Sequence, residues 1–176
     1  MLHTDNLMVK KMDHYLNVYH WLMAPWNDND TRLLEIEIWK SGSIEMWKGY
    51  FGADLQLTFS DNKSKLQSNW KILGEDWDWR SSWLCILQGT AAKHRPFDMI
   101  VNDGGHKMHQ QKTSFNTLCF QLAGGGFYAM EDTHSSYWSG FGGSFQEKIV
   151  LSSIRKTWST GCTVGMRIKT IFFRPT

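Results

Sequence analysis

The sequence predicts a three-layer α/β fold with a mostly parallel sheet. Short apolar segments alternate with amphipathic helical ones, and such strand–helix–strand units build a parallel sheet through right-handed crossovers. "FDMIV" (97–101) is apolar almost throughout, as is typical of a parallel strand covered on both faces. The chain has 176 residues, of which 41% are hydrophobic and 20% charged, so we expect one globular domain.

The first half of the chain contains the weaker secondary-structure signals. Apolar residues at helical spacing predict a helix at 13–23, and the β-rich run "RLLEIEI" predicts a buried strand at 32–38. The remaining predicted elements are a helix at 44–51 with Ser43 as its N-cap, a strand at 53–59 and a helix at 79–93.

The second half gives clearer signals. After the strand at 97–101, a helix is predicted from four apolar residues at i, i+3, i+4 and i+7, which are Phe115, Leu118, Cys119 and Leu122. "AGGG" (123–126) is predicted to end this helix, and "FYAM" (127–130) to form the next buried strand.

Composition narrows the function classes. A net charge of +2 gives no indication of nucleic-acid binding, and no segment approaches the roughly 20 apolar residues of a membrane span. The three cysteines are widely spaced and show no zinc-binding pattern, and the N-terminal residues lack the features of a signal peptide. We therefore expect reduced thiols in a cytoplasmic protein. The ten tryptophans are interpreted as packing residues rather than as an aromatic platform, and homo-oligomerisation stays open.

Acidic residues follow two strands that we expect to be neighbours. Asp103 follows the strand at 97–101, and Glu131 with Asp132 follows the strand at 127–130, so three carboxylates converge at one edge of the sheet. A hard divalent cation such as Mg²⁺ would relieve their repulsion, and His106 would lie close enough to act as a general base. The alternative is an ordinary Asp-Gly turn and a helix cap.

A family resemblance supports the first interpretation. "FDMIVNDGGHKMHQQKTSFNTL", "GGGFYAMEDTHSSYW" and "GFGG" resemble class I S-adenosylmethionine-dependent methyltransferases of the macrocin O-methyltransferase type. "RLLEIEIWKSGSIEMWKGYFG" is similar to the first cofactor motif of that family. The resemblance covers most of residues 4–145. It implies a Rossmann-like methyltransferase fold, S-adenosylmethionine and Mg²⁺ as cofactors, and a small-molecule hydroxyl acceptor, such as a macrolide sugar.

The resemblance also implies roles for individual residues. By position, the matched residues are Glu35, Gly42 and Ser43 around the cofactor, Glu75 and Asp76 near the adenine, Asp61 at the ribose, Asp103, Glu131 and Asp132 at the metal, and His106 as the base. The chain then divides into an N-terminal helical segment (1–30), a cofactor-binding half (31–95) and a metal-binding and catalytic half (96–176).

Substrate contact is predicted for "THSSYWSGFGG" (133–143), which directly follows the acids. Tyr137 and Trp138 are suited to the apolar faces of a sugar ring, and the glycines would let the loop close as a lid. A surface loop with packed aromatic residues is the alternative.

Some positions depart from the family pattern. These are Glu37 and Ser41 in place of glycines, Asn102 in place of an aspartate and Ala123 in place of a proline. "MRIKTIFFRPT" (166–176) resembles the first strand of a terminal antiparallel pair, and the sheet is expected to lack the second. Two functions are therefore compared: an active metal-dependent O-methyltransferase, and a methyltransferase-fold protein that serves as a binding or structural module.

Overall fold

The computed structural model describes residues 11, 13–27, 30–37, 42–60, 79–94, 96–144 and 167–170. These residues form a five-stranded sheet in which every neighbouring pair is parallel, with strand order β2-β1-β3-β4-β5. The strands are β1 (Arg32–Ile36), β2 (Gln56–Ser60), β3 (Phe97–Asn102), β4 (Leu122–Met130) and β5 (Arg167–Thr170). The helices are α1 (Asp13–Met23), α2 (Gly42–Phe51), α3 (Trp79–His94) and α4 (Met108–Leu118).

Buried side chains cover both faces of the sheet. Successive strand residues point to opposite faces, so Leu33 packs in one hydrophobic core and Leu34 in the other. The core that contains Leu33 is completed by α1 and α2, and the core that contains Leu34 by α3 and α4. The predicted three-layer α/β/α fold is thus confirmed.

The pairing of the central strands determines which residues lie together at the carboxyl edge of the sheet. β1 and β3 are neighbours, with Leu34 opposite Ile100. β3 also pairs with β4, and Asn102 lies opposite Met130 at the end of both strands. Since the strands are parallel, the residues that follow them leave the sheet at the same edge.

One predicted boundary is wrong. The predicted helix extended to Leu122, and the glycines at 123–126 were expected to end it. Instead α4 ends at Leu118, a 3₁₀ turn spans Cys119–Gln121, and Leu122 begins β4 with the glycines inside the strand. Leu122 is buried in the strand as it would be on a helix face, so the spacing of apolar residues cannot separate the two conformations.

Other boundaries shift by a few residues. β2 begins at Gln56 rather than at 53, and α2 begins at Gly42, ahead of the predicted N-cap Ser43. The terminal segment contains a strand as predicted, Arg167–Thr170, which lies parallel to β4. Among the described residues, no helix has the length and apolar character that crossing a membrane requires.

Candidate active site

Three acidic side chains converge at the carboxyl edge of the sheet. Glu35 lies near the end of β1, Asp103 directly follows β3, and Glu131 directly follows β4. Backbone hydrogen bonds join these ends, because the Asp103 N–H donates to the Ile36 carbonyl at 3.2 Å and the Glu131 N–H to the Asn102 carbonyl at 2.9 Å. We call Glu35, Asp103 and Glu131 the acidic cluster.

The ammonium group of Lys11 lies at the centre of the acidic cluster. Its Nζ is 2.8 Å from Asp103 Oδ2, 2.7 Å from Glu131 Oε1 and 3.3 Å from Glu35 Oε1. The Lys11 side chain is 2% exposed, so water does not screen these contacts as it would at the surface. A cation from the chain itself therefore offsets part of the negative charge of the cluster.

Burial and charge set the protonation states of this group. Burial by itself favours the neutral amine of Lys11, yet Glu131, Asp103 and Glu35 together raise its pKa above the ordinary value. Burial raises the pKa of Glu131 to about 7, while Lys11 opposes the rise and Asp103 adds to it. Burial likewise raises the pKa of Asp103 and of Glu35, and Lys11 opposes both shifts. Each carboxylate thus depends on the cation for its charged form.

Asp132 lies beside the acidic cluster and has different partners. Its backbone is left-handed, with φ of 50°. The Tyr15 hydroxyl donates to Asp132 Oδ1 at 3.1 Å and accepts from its N–H at 3.3 Å. A second tyrosine of α1, Tyr19, donates to Glu131. Two tyrosines from one helix therefore fix the two adjacent acids that follow β4.

Two histidines flank Asp132. His106 Nδ1 is 3.6 Å from Asp132 Oδ2, and His134 Nδ1 is 4.0 Å from Asp132 Oδ1. The His106 carbonyl accepts a hydrogen bond from Ser135 Oγ at 2.8 Å, which joins the loop after β3 to the turn after β4. The His106 side chain is 42% exposed. An accessible imidazole beside a carboxylate is an arrangement suited to general-base chemistry.

Glu35 connects this edge to α2. Ser43 Oγ donates to Glu35 Oε2 at 2.7 Å, so the Ser43 hydroxyl binds a side chain rather than capping α2 as predicted. Both Ser43 and Gly42, the first residue of α2, are buried. The N-terminus of α2 therefore lies at the same edge as the acidic cluster, with its free backbone N–H groups available for an anionic group.

Glu37 contacts the loop that follows β3. Its φ of 65° is left-handed, a conformation in which glycine is much less strained. Its Oε2 accepts the Gly105 N–H at 2.9 Å. A Cβ on Gly104 would lie 2.7 Å from Glu37 Cβ, so the two backbones approach closely. The carboxylate that the sequence could not orient thus binds the loop between Asp103 and His106.

This close approach predicts a coupled effect on stability. Gly104→Ala is expected to destabilise the protein by about 1–3 kcal/mol, because the new methyl group overlaps the Glu37 side chain. In a Glu37→Gly background the overlap with that Cβ is removed, so the same substitution should cost markedly less. Denaturant unfolding of the four proteins measures the difference.

The control for this cycle is Gly49→Ala on α2, where an added Cβ meets nothing within 4 Å. That change should be neutral or stabilising in both backgrounds. An equal cost of Gly104→Ala with and without Glu37 would contradict the proposed contact.

Asn102 has a structural role. Its Nδ2 donates to the Tyr128 hydroxyl at 3.0 Å, and its Oδ1 accepts the Gly104 N–H at 3.1 Å. Burial raises the pKa of Tyr128, so this hydroxyl is neutral at physiological pH. The amide therefore satisfies one buried donor and one buried acceptor, which an ionised aspartate at this position would not do.

The segment after Asp132 is folded into two 3₁₀ turns, Thr133–Tyr137 and Ser139–Phe141. The Gly143 N–H donates back to the Trp138 carbonyl at 3.0 Å. The Trp138 ring is 50% exposed and lies edge-on to His134, with 4.9 Å between ring centroids. This hydrogen-bonded segment presents Tyr137 and Trp138 to solvent.

The structure brings together most of the predicted site residues. Glu35, Gly42, Ser43, Asp103, His106, Glu131 and Asp132 share one edge. Asp61, Glu75 and Asp76, together with Ser41, lie outside the described residues.

Lys11, Tyr15, Tyr19 and His134 are site residues that the sequence did not reveal. Tyr15 and Tyr19 were interpreted as the apolar face of α1, and their burial agrees with this. Two hydroxyl groups at i and i+4 lie on the same side of a helix, and this spacing could have indicated that both tyrosines contact one site. No local sequence pattern marked Lys11 as a site residue.

The acidic side chains offer the kind of ligand atoms that a hard divalent cation prefers. Their present arrangement, however, is not that of a complete metal-binding site. Carboxylate oxygens are the preferred ligands of Mg²⁺, and Glu35 Oε1 is a buried oxygen without a hydrogen-bond donor. Within the described part of the chain, however, no three acidic, histidine or cysteine side chains form a metal-binding group. Asp103 and Glu131 bind Lys11 instead, and Asp132 binds Tyr15.

Comparisons with known proteins were made by sequence and by structure. No protein-family profile matches the chain. L-olivosyl-oleandolide 3-O-methyltransferase of Streptomyces antibioticus is 31% identical over 144 residues, which are 70% of this chain and 35% of that protein. Demethylmacrocin O-methyltransferase of Streptomyces fradiae is 33% identical over 131 residues, 67% of this chain and 31% of that protein. The chain thus spans about a third of the length of these relatives.

Solved structures give the same result. The MycE methyltransferase from the mycinamycin biosynthetic pathway, in complex with Mg and SAH, matches with a TM-score of 0.65 and 26% identity. The match covers 81% of this chain and 42% of that one. A MycE complex with Mg, SAH and mycinamycin VI matches with a TM-score of 0.63 and 28% identity, over 77% of this chain and 36% of that one.

Proposed function

Because the chain belongs to the macrolide sugar O-methyltransferase family, we propose that it transfers a methyl group from S-adenosylmethionine to a small-molecule hydroxyl group. A sugar of a macrolide-type natural product is the proposed acceptor. The observation that carries the proposal is the meeting of two groups of residues at one sheet edge. One group is Glu35 with the N-terminus of α2, and the other is the acids and His106 after β3 and β4.

Cofactor binding is assigned to Glu35, Gly42 and Ser43. The first turn of α2 offers backbone N–H groups to the carboxylate of the cofactor, and Ser43 holds the buried Glu35 in place. Asp61 at the ribose and Glu75 with Asp76 near the adenine complete the proposed set. S-adenosylmethionine supplies the methyl group when bound.

Metal binding is assigned to Asp103, Glu131 and Asp132. Their carboxylates follow two paired strands, and two of them, Asp103 and Glu131, already bind one ammonium group. A divalent ion held there supplies Lewis-acid stabilisation of negative charge that develops on the acceptor oxygen. Tyr15 and Tyr19 orient two of the three ligands, a kind of support that fixes ligand geometry in metal sites.

His106 is the proposed general base. Methyl transfer to a hydroxyl group releases a proton, and the exposed imidazole beside Asp132 can accept it. Asp132 stabilises the imidazolium that forms. Ser135 holds the His106 backbone, so the ring stays at the edge where the acceptor would bind.

Tyr137 and Trp138 are the proposed acceptor contacts, because both are exposed aromatic side chains directly after the acids. Trp138→Ala is expected to raise the apparent KM for the acceptor several-fold while leaving cofactor affinity unchanged, since the exposed ring is assigned to the acceptor and not to the cofactor. Steady-state kinetics with varied acceptor tests this, and Trp21→Ala on the exposed surface of α1 is the control. An unchanged KM would exclude the contact.

A second function, a non-catalytic binding or structural module, is favoured by one observation. Lys11 already supplies a cation to the acidic cluster, so the acids can be held together at this edge without a metal ion. A methyl-transfer assay separates the two functions.

The assay uses methyl-labelled S-adenosylmethionine, Mg²⁺ and a set of glycosylated macrolides that carry free sugar hydroxyl groups. Transfer of the label to an acceptor by the wild type, and loss of that transfer in Asp103→Asn, would support the enzymatic function. Binding of the cofactor without transfer to any acceptor supports the module.

A further inference from the structure

We infer that the Lys11 ammonium is an internal cation that competes with the divalent ion for the acidic cluster, so that metal binding requires Lys11 to leave. The inference rests on the proposed function, because it concerns the metal site of that function. It assigns to Lys11 the role of an autoinhibitory contact.

The positions of the two cations overlap. Lys11 Nζ is 2.8 Å from Asp103 Oδ2 and 2.7 Å from Glu131 Oε1, the two nearest acids of the proposed metal set. An ion such as Mg²⁺ bound to the same two oxygens would sit about 2.0–2.1 Å from each. Both cations need the same two oxygens and repel each other, so binding of one disfavours binding of the other.

The electrostatics of the acidic cluster favour replacement of Lys11 by a divalent ion over permanent occupation of the cluster by Lys11. Three carboxylates surround one ammonium group, and the contact to Glu35 Oε1, at 3.3 Å, is the longest of the three. A divalent ion would neutralise more of this negative charge than Lys11 does. The ammonium is thus sufficient to hold the site together without metal and is the weaker of the two cations.

The connection of Lys11 to the chain makes its departure feasible. Lys11 lies just before α1, which begins at Asp13, so its release does not require a helix to unfold. Tyr15 and Tyr19, which bind Asp132 and Glu131, belong to α1 itself and can keep their positions. Displacement of Lys11 would leave the proposed ligands oriented while vacating the place between them.

The first test compares Mn²⁺ binding by the full-length wild type, Lys11→Met and Lys48→Met. Lys48 is the matched control, since its side chain is 58% exposed and its ammonium group pairs with Glu45 on α2. Lys11→Met should bind Mn²⁺ about tenfold or more tightly than wild type, the gain expected when a site that is open about a tenth of the time becomes open permanently. Lys48→Met should match wild type. Calorimetry or electron paramagnetic resonance of free Mn²⁺ gives the affinities.

The outcomes separate this inference from the proposed function. Equal Mn²⁺ affinity in wild type and Lys11→Met, or weaker binding by Lys11→Met, would overturn the competition and leave the metal site standing. No Mn²⁺ binding by either protein would overturn both.

A second measurement needs no variant and applies if Lys11→Met fails to fold. The wild-type protein is treated with an amine-acetylating reagent in EDTA and again in saturating Mg²⁺, and modified lysines are mapped by mass spectrometry. Lys11 should be protected in EDTA and modified in Mg²⁺, while the exposed Lys48 is modified in both. Lys11 that stays protected in saturating Mg²⁺ would contradict the displacement.

Discussion

His106→Ala is expected to lower kcat by about 10²–10⁴-fold, the range typical of a general base, while affinity for S-adenosylhomocysteine stays nearly unchanged. The imidazole lies 3.6 Å from Asp132 and is 42% exposed, so it can take a proton from an acceptor, and the proposed cofactor-binding residues belong to other elements. Single-turnover and steady-state kinetics of methyl transfer provide the test.

The control for His106 is His20→Ala, since His20 is an exposed histidine of α1 whose ring contacts Tyr50. It should retain full activity. A His106→Ala enzyme with wild-type kcat would show that the loop after β3 is an ordinary turn.

Chelation is expected to have an equally large effect. EDTA should abolish methyl transfer and added Mg²⁺ should restore it, because the buried carboxylates of Asp103 and Glu131 would lose the ion that stabilises developing negative charge. Lys11 would then return to the cluster, so the fold should survive chelation. Circular dichroism in EDTA checks the fold, and Asp132→Ala should raise the Mg²⁺ concentration needed for activity.

Full activity in EDTA would contradict the metal assignment. If that activity were lost in Lys11→Met, the ammonium group would be the working cation of the enzyme.

Much of the fold could be predicted because the residues that become buried are apolar and recur at regular spacing in the sequence. The apolar run at β3 and the helical spacing in α1 and α4 predicted elements that the structure contains. The end of α4 was predicted wrongly because Leu122 is buried in either conformation. Local periodicity does not show which of two buried conformations the chain adopts.

The acids of the site could be predicted for a topological reason. Residues that follow neighbouring parallel strands must leave the sheet together, so Asp103 and Glu131 were placed correctly from the strand order. The contacts of Lys11 could not be predicted in this way. Lys11 is separated by 92 residues from Asp103 and by 120 from Glu131, and no local pattern encodes such a long-range ion pair.

Glu37 shows the limit of comparing a residue with a family pattern. The family pattern that the sequence resembles has a glycine at this position. The structure instead shows a left-handed residue whose carboxylate binds the Gly105 N–H. The substitution keeps the backbone conformation that glycine would favour and uses the side chain to hold the neighbouring loop.

Calorimetric titration of the full chain with S-adenosylhomocysteine tests the central claim most directly, because it does not depend on the identity of the acceptor. The account predicts saturable, equimolar binding by wild type and by Glu37→Gly, since the Glu37 carboxylate is directed at Gly105 and not at α2. Ser43→Ala should bind more weakly, because Glu35 loses the hydroxyl that holds it. Absence of binding by both wild type and Glu37→Gly would contradict the assignment of this chain as a methyltransferase.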